Sequence, residues 1–316
     1  MERKTATDKK RGTGAKTNNK KPAGNENSER WVEFWNASVR KKESVTDEEQ
    51  AERWNERADD FGKHAGSEQR MKRITGLLAF LKEAGFTPKG KKILDIGCGP
   101  GALSIPLADA GAEVTSFDIA SGMLDRIRET AKKESLKITT VEGSWWSADI
   151  DKLGFRNKFD LVIASSTPAI RDVETFDRMM ACSKKYCYYN GYFGMNRAKP
   201  EDARKSLPEI LGIESGRGHA FGPGGRAHGG PGLMFAFMYL YTLGYQPTIK
   251  FNNRVRPDMG WAEAVKRATE RFGRDRKLTP VQKQTIKDYY KSAAVDGMIR
   301  HEPTNVSGMM VWNVKN

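Results

Sequence analysis

Ile93-Leu94-Asp95-Ile96-Gly97-Cys98-Gly99-Pro100-Gly101 is the stretch that decides the fold. An apolar run ends, three glycines fall within five residues, and a helical pattern begins. Glycine lets the backbone turn through conformations closed to other residues, and it leaves bare backbone for a ligand to approach. The helix that follows turns its N-terminus toward that ligand and favours electron-rich groups there. The glycines alone do not choose the ligand, because Gly97, Gly99 and Ala102 also satisfy the dinucleotide fingerprint.

Outward from this loop the chain alternates. Strands are expected at Lys92–Ile96, Glu113–Ile119, Lys137–Glu142, Phe159–Ala164 and Lys185–Tyr192, with helices between them. Strands that are apolar along their length, separated by helices, indicate a mostly parallel sheet covered on both faces. Two carboxylates sit at strand ends. Asp95 precedes the first glycine and is expected to face the crevice, where a pyrophosphate would gain nothing from it. An ammonium-bearing cofactor such as S-adenosylmethionine (SAM) would gain a charge-assisted hydrogen bond. Asp118, at the tip of the next strand, can accept from two ribose hydroxyls of either cofactor class.

Leu94–Gly101, followed by Phe117-Asp118-Ile119-Ala120-Ser121-Gly122-Met123-Leu124, resembles the two leading motifs of class I SAM-dependent methyltransferases, in particular the ubiquinone/menaquinone-type subgroup. The likeness spans about residues 50–195. It implies a Rossmann-like α/β fold, a seven-stranded, mostly parallel sheet with helices on both faces and a reversed last strand. Segments 245–255 and 306–314 then become the sixth and seventh strands, with helices over 261–294 inserted between them. The resemblance also implies SAM as cofactor, held by Gly97, Cys98, Gly99 and Gly101 along its methionine part and by Asp95 at its ammonium. Asp118 would take the ribose, Ile119 and Met123 the adenine side, and Ala164-Ser165-Ser166 would pass beside the sulfonium. The third motif carries an acidic residue in the family; here Glu142-Gly143-Ser144-Trp145-Trp146 places Ser144 there, leaving Ser144 and Trp145 for the base.

The flanks differ in composition. Residues 1–30 lack Val, Ile, Leu, Phe, Trp and Tyr and hold nine Lys/Arg against four Asp/Glu, which reads as a disordered basic tail. Residues 31–90 read as an N-terminal helical cap. Thr46 and Glu49 form a capping box, opening a helix whose stripe is Ala51, Trp54, Ala58 and Phe61. A second helix over 67–84 carries Met71, Ile74, Leu77, Leu78 and Leu81. Residues 91–195 are the cofactor core. Residues 196–316 supply a glycine-rich stretch over 212–232, helices on the substrate side and the last two strands. This third holds 20 Lys/Arg against 11 Asp/Glu within a chain of net charge +14. Such surfaces gather anionic partners without selecting among them. Cys98, Cys182 and Cys187 form no Cys-x-x-Cys pair, no metal site is indicated, and neither a membrane span nor a signal segment is visible. A cytoplasmic protein of unspecified oligomeric state is expected.

Methyl transfer from SAM is a displacement at an activated carbon and needs alignment more than a fixed catalytic side chain. The expected acceptor is a small molecule, with a protein side chain or an RNA docked on the basic surfaces as alternatives. An NAD(P)-dependent oxidoreductase on the same glycines is the other class. Amino-methylating nucleic-acid enzymes resemble one another in an Asn/Asp-Pro-Pro-aromatic motif, and Ser166-Thr167-Pro168-Ala169 departs from it. His219 and His228 are the candidate bases or substrate contacts.

Overall fold

The computed structural model describes residues 26–38, 46–58, 67–192, 207–213, 232–253, 258–273, 276–300 and 306–315. A seven-stranded sheet forms the centre. Its strands are β1 (Lys92–Ile96), β2 (Glu113–Asp118), β3 (Ile138–Glu142), β4 (Phe159–Ser165), β5 (Ser183–Tyr192), β6 (Thr248–Asn253) and, after a two-stranded pair of β7 (Met259–Gly260) with β8 (Met298–Ile299), β9 (Val306–Asn313). The order across the sheet is β3-β2-β1-β4-β5-β9-β6. β1 to β5 pair in parallel, whereas β9 runs antiparallel between β5 and β6. This is the reversed last strand that the resemblance implied. The small β7–β8 pair carried no sequence signal beyond two short apolar fragments.

Alternation along the strands divides the core into two layers. Leu94, Ile96, Val162, Ala164, Cys187, Tyr189, Met310 and Trp312 face one side. There α6 (Val173–Cys182) and α8 (Leu233–Thr242) cover them with Phe176, Met179, Tyr239 and Leu240. Ile93, Val114, Leu161, Ile163, Tyr188 and Val311 face the other side. They meet Ile74, Leu77, Phe80 and Leu81 of α3 (Ser67–Glu83) and Leu107 of α4 (Ser104–Asp109). α5 (Ser121–Glu134) joins β2 to β3 and buries Met123, Leu124 and Ile127. A short α7 (Leu207–Ile210) packs with α9 (Trp261–Gly273) and α10 (Pro280–Ala293) around Ile213, Ala268, Leu278 and Ile286. These last two helices are the insertion expected between the sixth and seventh strands. α10 starts on a capping box, Thr279 with Gln282, and a proline in its first turn.

The N-terminal side corrects one expectation. Composition extends the basic tail through residue 30, yet α1 (Glu26–Ser38) begins inside it. Trp31, Val32 and Trp35 give this helix an apolar face, and Trp35 is fully buried against Phe176, Phe235 and Tyr239. Its indole Nε1 donates to the Arg171 carbonyl at 3.3 Å. Residues 1–25 lie outside the described residues. Replacing Trp35 with Phe is expected to cost about 1–2 kcal/mol, from a small cavity and the lost hydrogen bond. Urea denaturation of the full chain checks this; a variant as stable as the parent would mean that α1 does not dock.

α2 (Asp47–Asn55) opens on the expected capping box: Thr46 Oγ1 accepts from the Glu49 amide at 3.2 Å, and the Glu49 carboxylate accepts from the Thr46 amide at 3.0 Å. The helix itself buries no residue fully, although Ala58 beyond it is buried. Phe61 and the side chain of Met71 lie outside the described residues.

Candidate active site

A cleft of about 760 Å³, counting the part open to solvent, lies at the C-terminal ends of β1, β2, β3 and β4. Open α/β sheets place ligands at this end. Its floor is the glycine loop. Gly97, Gly99 and Gly101 all take positive φ, at 62°, 52° and 85°. A Cβ on Gly97 would run into the Thr167 side chain, so the turns after β1 and β4 close on each other only because residue 97 has none.

Asp118 forms one wall. It is 8% exposed, and both carboxylate oxygens are held by backbone: Oδ2 accepts from Gly99 N at 2.8 Å and Oδ1 from Ala120 N at 3.0 Å. The carboxylate thus braces the glycine loop while lining the cleft, and each oxygen keeps lone-pair capacity for a further donor. Burial raises its pKa, with the Ala120, Gly99 and Ile119 amides opposing that shift.

The remaining walls come from several elements. Ile119, Met123, Trp54 and Phe117 are apolar; Gly143, Ser144, Trp145 and Trp146 enter from the loop after β3. Trp145 is 3% exposed and serves the core as well, stacking edge-on against Phe117 and donating from Nε1 to the Thr175 carbonyl at 3.0 Å. Arg178 ties the same loop to α6 through the carbonyls of Trp145 and Trp146. Ser166, Thr167, Pro168 and Ala169 close the far side. Ser166 holds φ at 51°, a strained value for a residue with a Cβ, and is fixed there by Asn190: its amide donates to the Asn190 carbonyl at 3.0 Å and its hydroxyl to Oδ1 at 2.8 Å. α2 lies across the opening, with Gln50 and Trp54 on the cleft wall and Asn55 Oδ1 accepting from the Gly122 amide at the start of α5.

Of the residues singled out from sequence, Gly97, Gly99, Asp118, Ile119, Met123, Ser144 and Trp145 meet in this cleft. Asp95 does not line it. Its side chain shares the Ile93 face of β1, where it is 2% exposed and its Oδ2 accepts from the Ser104 hydroxyl of α4 at 2.7 Å. Ser104 Oγ in turn accepts from Ser116 Oγ at 2.8 Å. Strand alternation turns Asp95 beneath the loop, where burial above all, with the Asp118 charge adding, pushes its pKa up to about 7 against the Ser104 hydrogen bond. Gly101, Cys98 and Ser165 also stand behind the wall: Gly101 packs against Ile105 and Ile127, Cys98 against Leu124 and Ile127, and Ser166 rather than Ser165 reaches the cleft. Burial keeps all three cysteines protonated: it pushes Cys182 up to about 12 and also raises Cys98 and Cys187 above the ordinary thiol range. His219 and His228 lie outside the described residues. Gln50, Trp54 and the 167–169 turn carried no cofactor expectation, whereas Ser166 belongs to the stretch expected beside the sulfonium and Trp146 to the third-motif stretch. The signal for Trp54 existed in its helical stripe, which reads equally as core.

Residues 93–187 match the family model described as a methyltransferase domain. That segment is similar to methyltransferase domains over its whole matched length. The ubiquinone biosynthesis O-methyltransferase of Coxiella burnetii is 33% identical over 96 residues, which is 30% of this chain and 41% of that protein. An uncharacterized protein of Haemophilus influenzae is 33% identical over 94 residues, 29% of this chain and 34% of its own. The solved MccD protein aligns at 12% identity over 74% of this chain and 94% of its own, with a TM-score of 0.46. The chain thus spans between a third and a half of the length of these curated relatives. The matched segment coincides with β1 through the first half of β5, the part of the sheet that carries the glycine loop and Asp118. The oxidoreductase alternative gains no support. Its fold has a parallel sheet of order 3-2-1-4-5-6, and here an antiparallel strand enters between β5 and β6.

Proposed function

We propose that this protein binds SAM in the cleft and transfers its methyl group to a small-molecule acceptor. The observation that carries the reading is Asp118, a buried carboxylate braced by Gly99 and Ala120 on the wall of a glycine-floored cleft within a methyltransferase domain. The cleft suits the cofactor in shape. Its positive-φ glycines leave bare backbone for the methionine portion, and Trp54, Ile119 and Met123 offer apolar surface for a base.

When bound, SAM supplies a methyl group activated by a sulfonium. The chain's own residues bind and orient. The Asp118 oxygens accept from both ribose hydroxyls, while Ile119 and Met123 pack on one side of the base. Ser166 and Thr167, fixed by Asn190 and by the close approach of Gly97, border the side from which an acceptor enters. The apolar tryptophans keep water from the path of transfer, which favours direct displacement. No helix among the described residues is long and apolar enough to cross a membrane. The three free thiols favour a cytoplasmic setting.

The acceptor class is tested by incubating the full chain with methyl-labelled SAM and, separately, a metabolite extract, total RNA and a protein extract. Label in a low-molecular-mass product is expected. Label confined to RNA or protein would overturn the small-molecule assignment.

A further inference from the structure

Gln50 sits one turn after Asp47 and one turn before Trp54 on α2, so the three side chains share a stripe. Both ends of that stripe are fixed. Asp47 accepts from Ser144 Oγ at 2.8 Å and from Ser147 Oγ at 2.9 Å, and Trp54 packs with Ile119, Ala120 and Met123. Gln50, between them, lines the cleft. Its Nε2 is buried and finds no hydrogen-bond partner among the described residues. Such a donor is costly when nothing satisfies it, and native interiors rarely tolerate one without a reason.

The position supplies a reason. The stripe spans from the loop after β3 to the start of α5, the two segments that flank a purine under the proposed function. Ser144 stands where the family resemblance implies a carboxylate toward the base, and its hydroxyl is already given to Asp47. We propose that Gln50 reads the adenine edge in place of that carboxylate. Its Nε2 donates to a ring nitrogen and its Oε1 accepts from the exocyclic amino group, the two-point pairing a carboxamide makes with adenine. Asp47 acts through position, holding α2 so that the amide reaches the base. The inference rests on the reading of this cleft as a SAM site.

Gln50→Met tests it, because methionine keeps the length and removes both polar atoms. The ligand-free variant is expected to melt no lower than the parent, since the Gln50 side chain makes no hydrogen bond among the described residues. Its affinity for S-adenosylhomocysteine should fall about tenfold, the value of one to two hydrogen bonds. An S-adenosylhomocysteine analogue lacking the purine amino group should bind the parent several-fold more weakly than the natural ligand, yet bind Gln50→Met as well as the natural ligand does. Unchanged affinity in the variant overturns the proposal, as does an amino-group preference that survives the substitution. A ligand-free variant that melts well below the parent would also overturn it, assigning Gln50 to packing. If the parent itself binds no S-adenosylhomocysteine, the reading of the cleft falls and this inference with it.

Discussion

Asp118→Asn should weaken binding of S-adenosylhomocysteine by on the order of 100-fold while leaving the protein folded. The carboxylate is proposed to accept from two ribose hydroxyls, and hydrogen bonds to a charged partner are each worth about 1.5–3 kcal/mol. An asparagine at this position offers one oxygen where two are needed. One oxygen also suffices for only one of the two backbone donors, the Gly99 and Ala120 amides, so the glycine loop loses a brace. Folding should tolerate the exchange, because burial already works against the charge and holds the Asp118 pKa up. Calorimetric titration measures the affinity, and a thermal melt of the ligand-free chain verifies the fold. A variant that binds as the parent does would remove Asp118 from the site.

Asp95 should report on stability and pH rather than chiefly on binding. Its folded-state pKa is raised to about 7 from an ordinary value near 3.8, so between those values the unfolded chain has released a proton that the folded chain keeps. Stability from this group is therefore fully present below the ordinary value and is lost as pH rises through about 7. The slope is about 1.4 kcal/mol per pH unit across the window. Asp95→Asn has no such slope. Its stability relative to the parent should climb by a few kcal/mol from pH 4 to pH 8 and level off above 7, while Ser104 keeps an acceptor. Urea denaturation of both proteins across that range checks it. Parallel pH profiles would contradict the buried, proton-retaining state. If Asp95 instead met the cofactor ammonium, as its place before the glycines suggests, removing the carboxylate would abolish binding. The structure predicts a smaller loss of affinity than for Asp118→Asn, because Asp95 lies beneath the loop rather than on the wall.

The strands around the cleft were legible because they are short runs of five to seven residues with a local stop signal, Gly97 after β1 and Asp118 at the tip of β2. Gly97, Gly99 and Asp118 were legible for a related reason, since a turn that needs positive φ and a strand-tip acceptor are local demands. Asp95 was misread although its position could have been read from strand period alone. It lies two residues from Ile93 and therefore on the same face, turned toward α4. α1 was cut short because averaging over residues 1–30 hid the helix that Trp31 and Trp35 complete. Gln50 and Asp47 were out of reach for another reason. Asp47 meets Ser144 across 97 residues of sequence, and nothing in a capping-box helix says which surface it will cover.

Titration of the full chain with S-adenosylhomocysteine and with NADH tests most directly whether this cleft holds SAM. Trp54, Trp145 and Trp146 line the cleft and serve as fluorescent reporters. Saturable quenching by S-adenosylhomocysteine at micromolar concentration, with none by NADH beyond its inner-filter absorbance and with the midpoint displaced in Asp118→Asn, is the predicted result. Saturable binding of NADH in place of S-adenosylhomocysteine would contradict it.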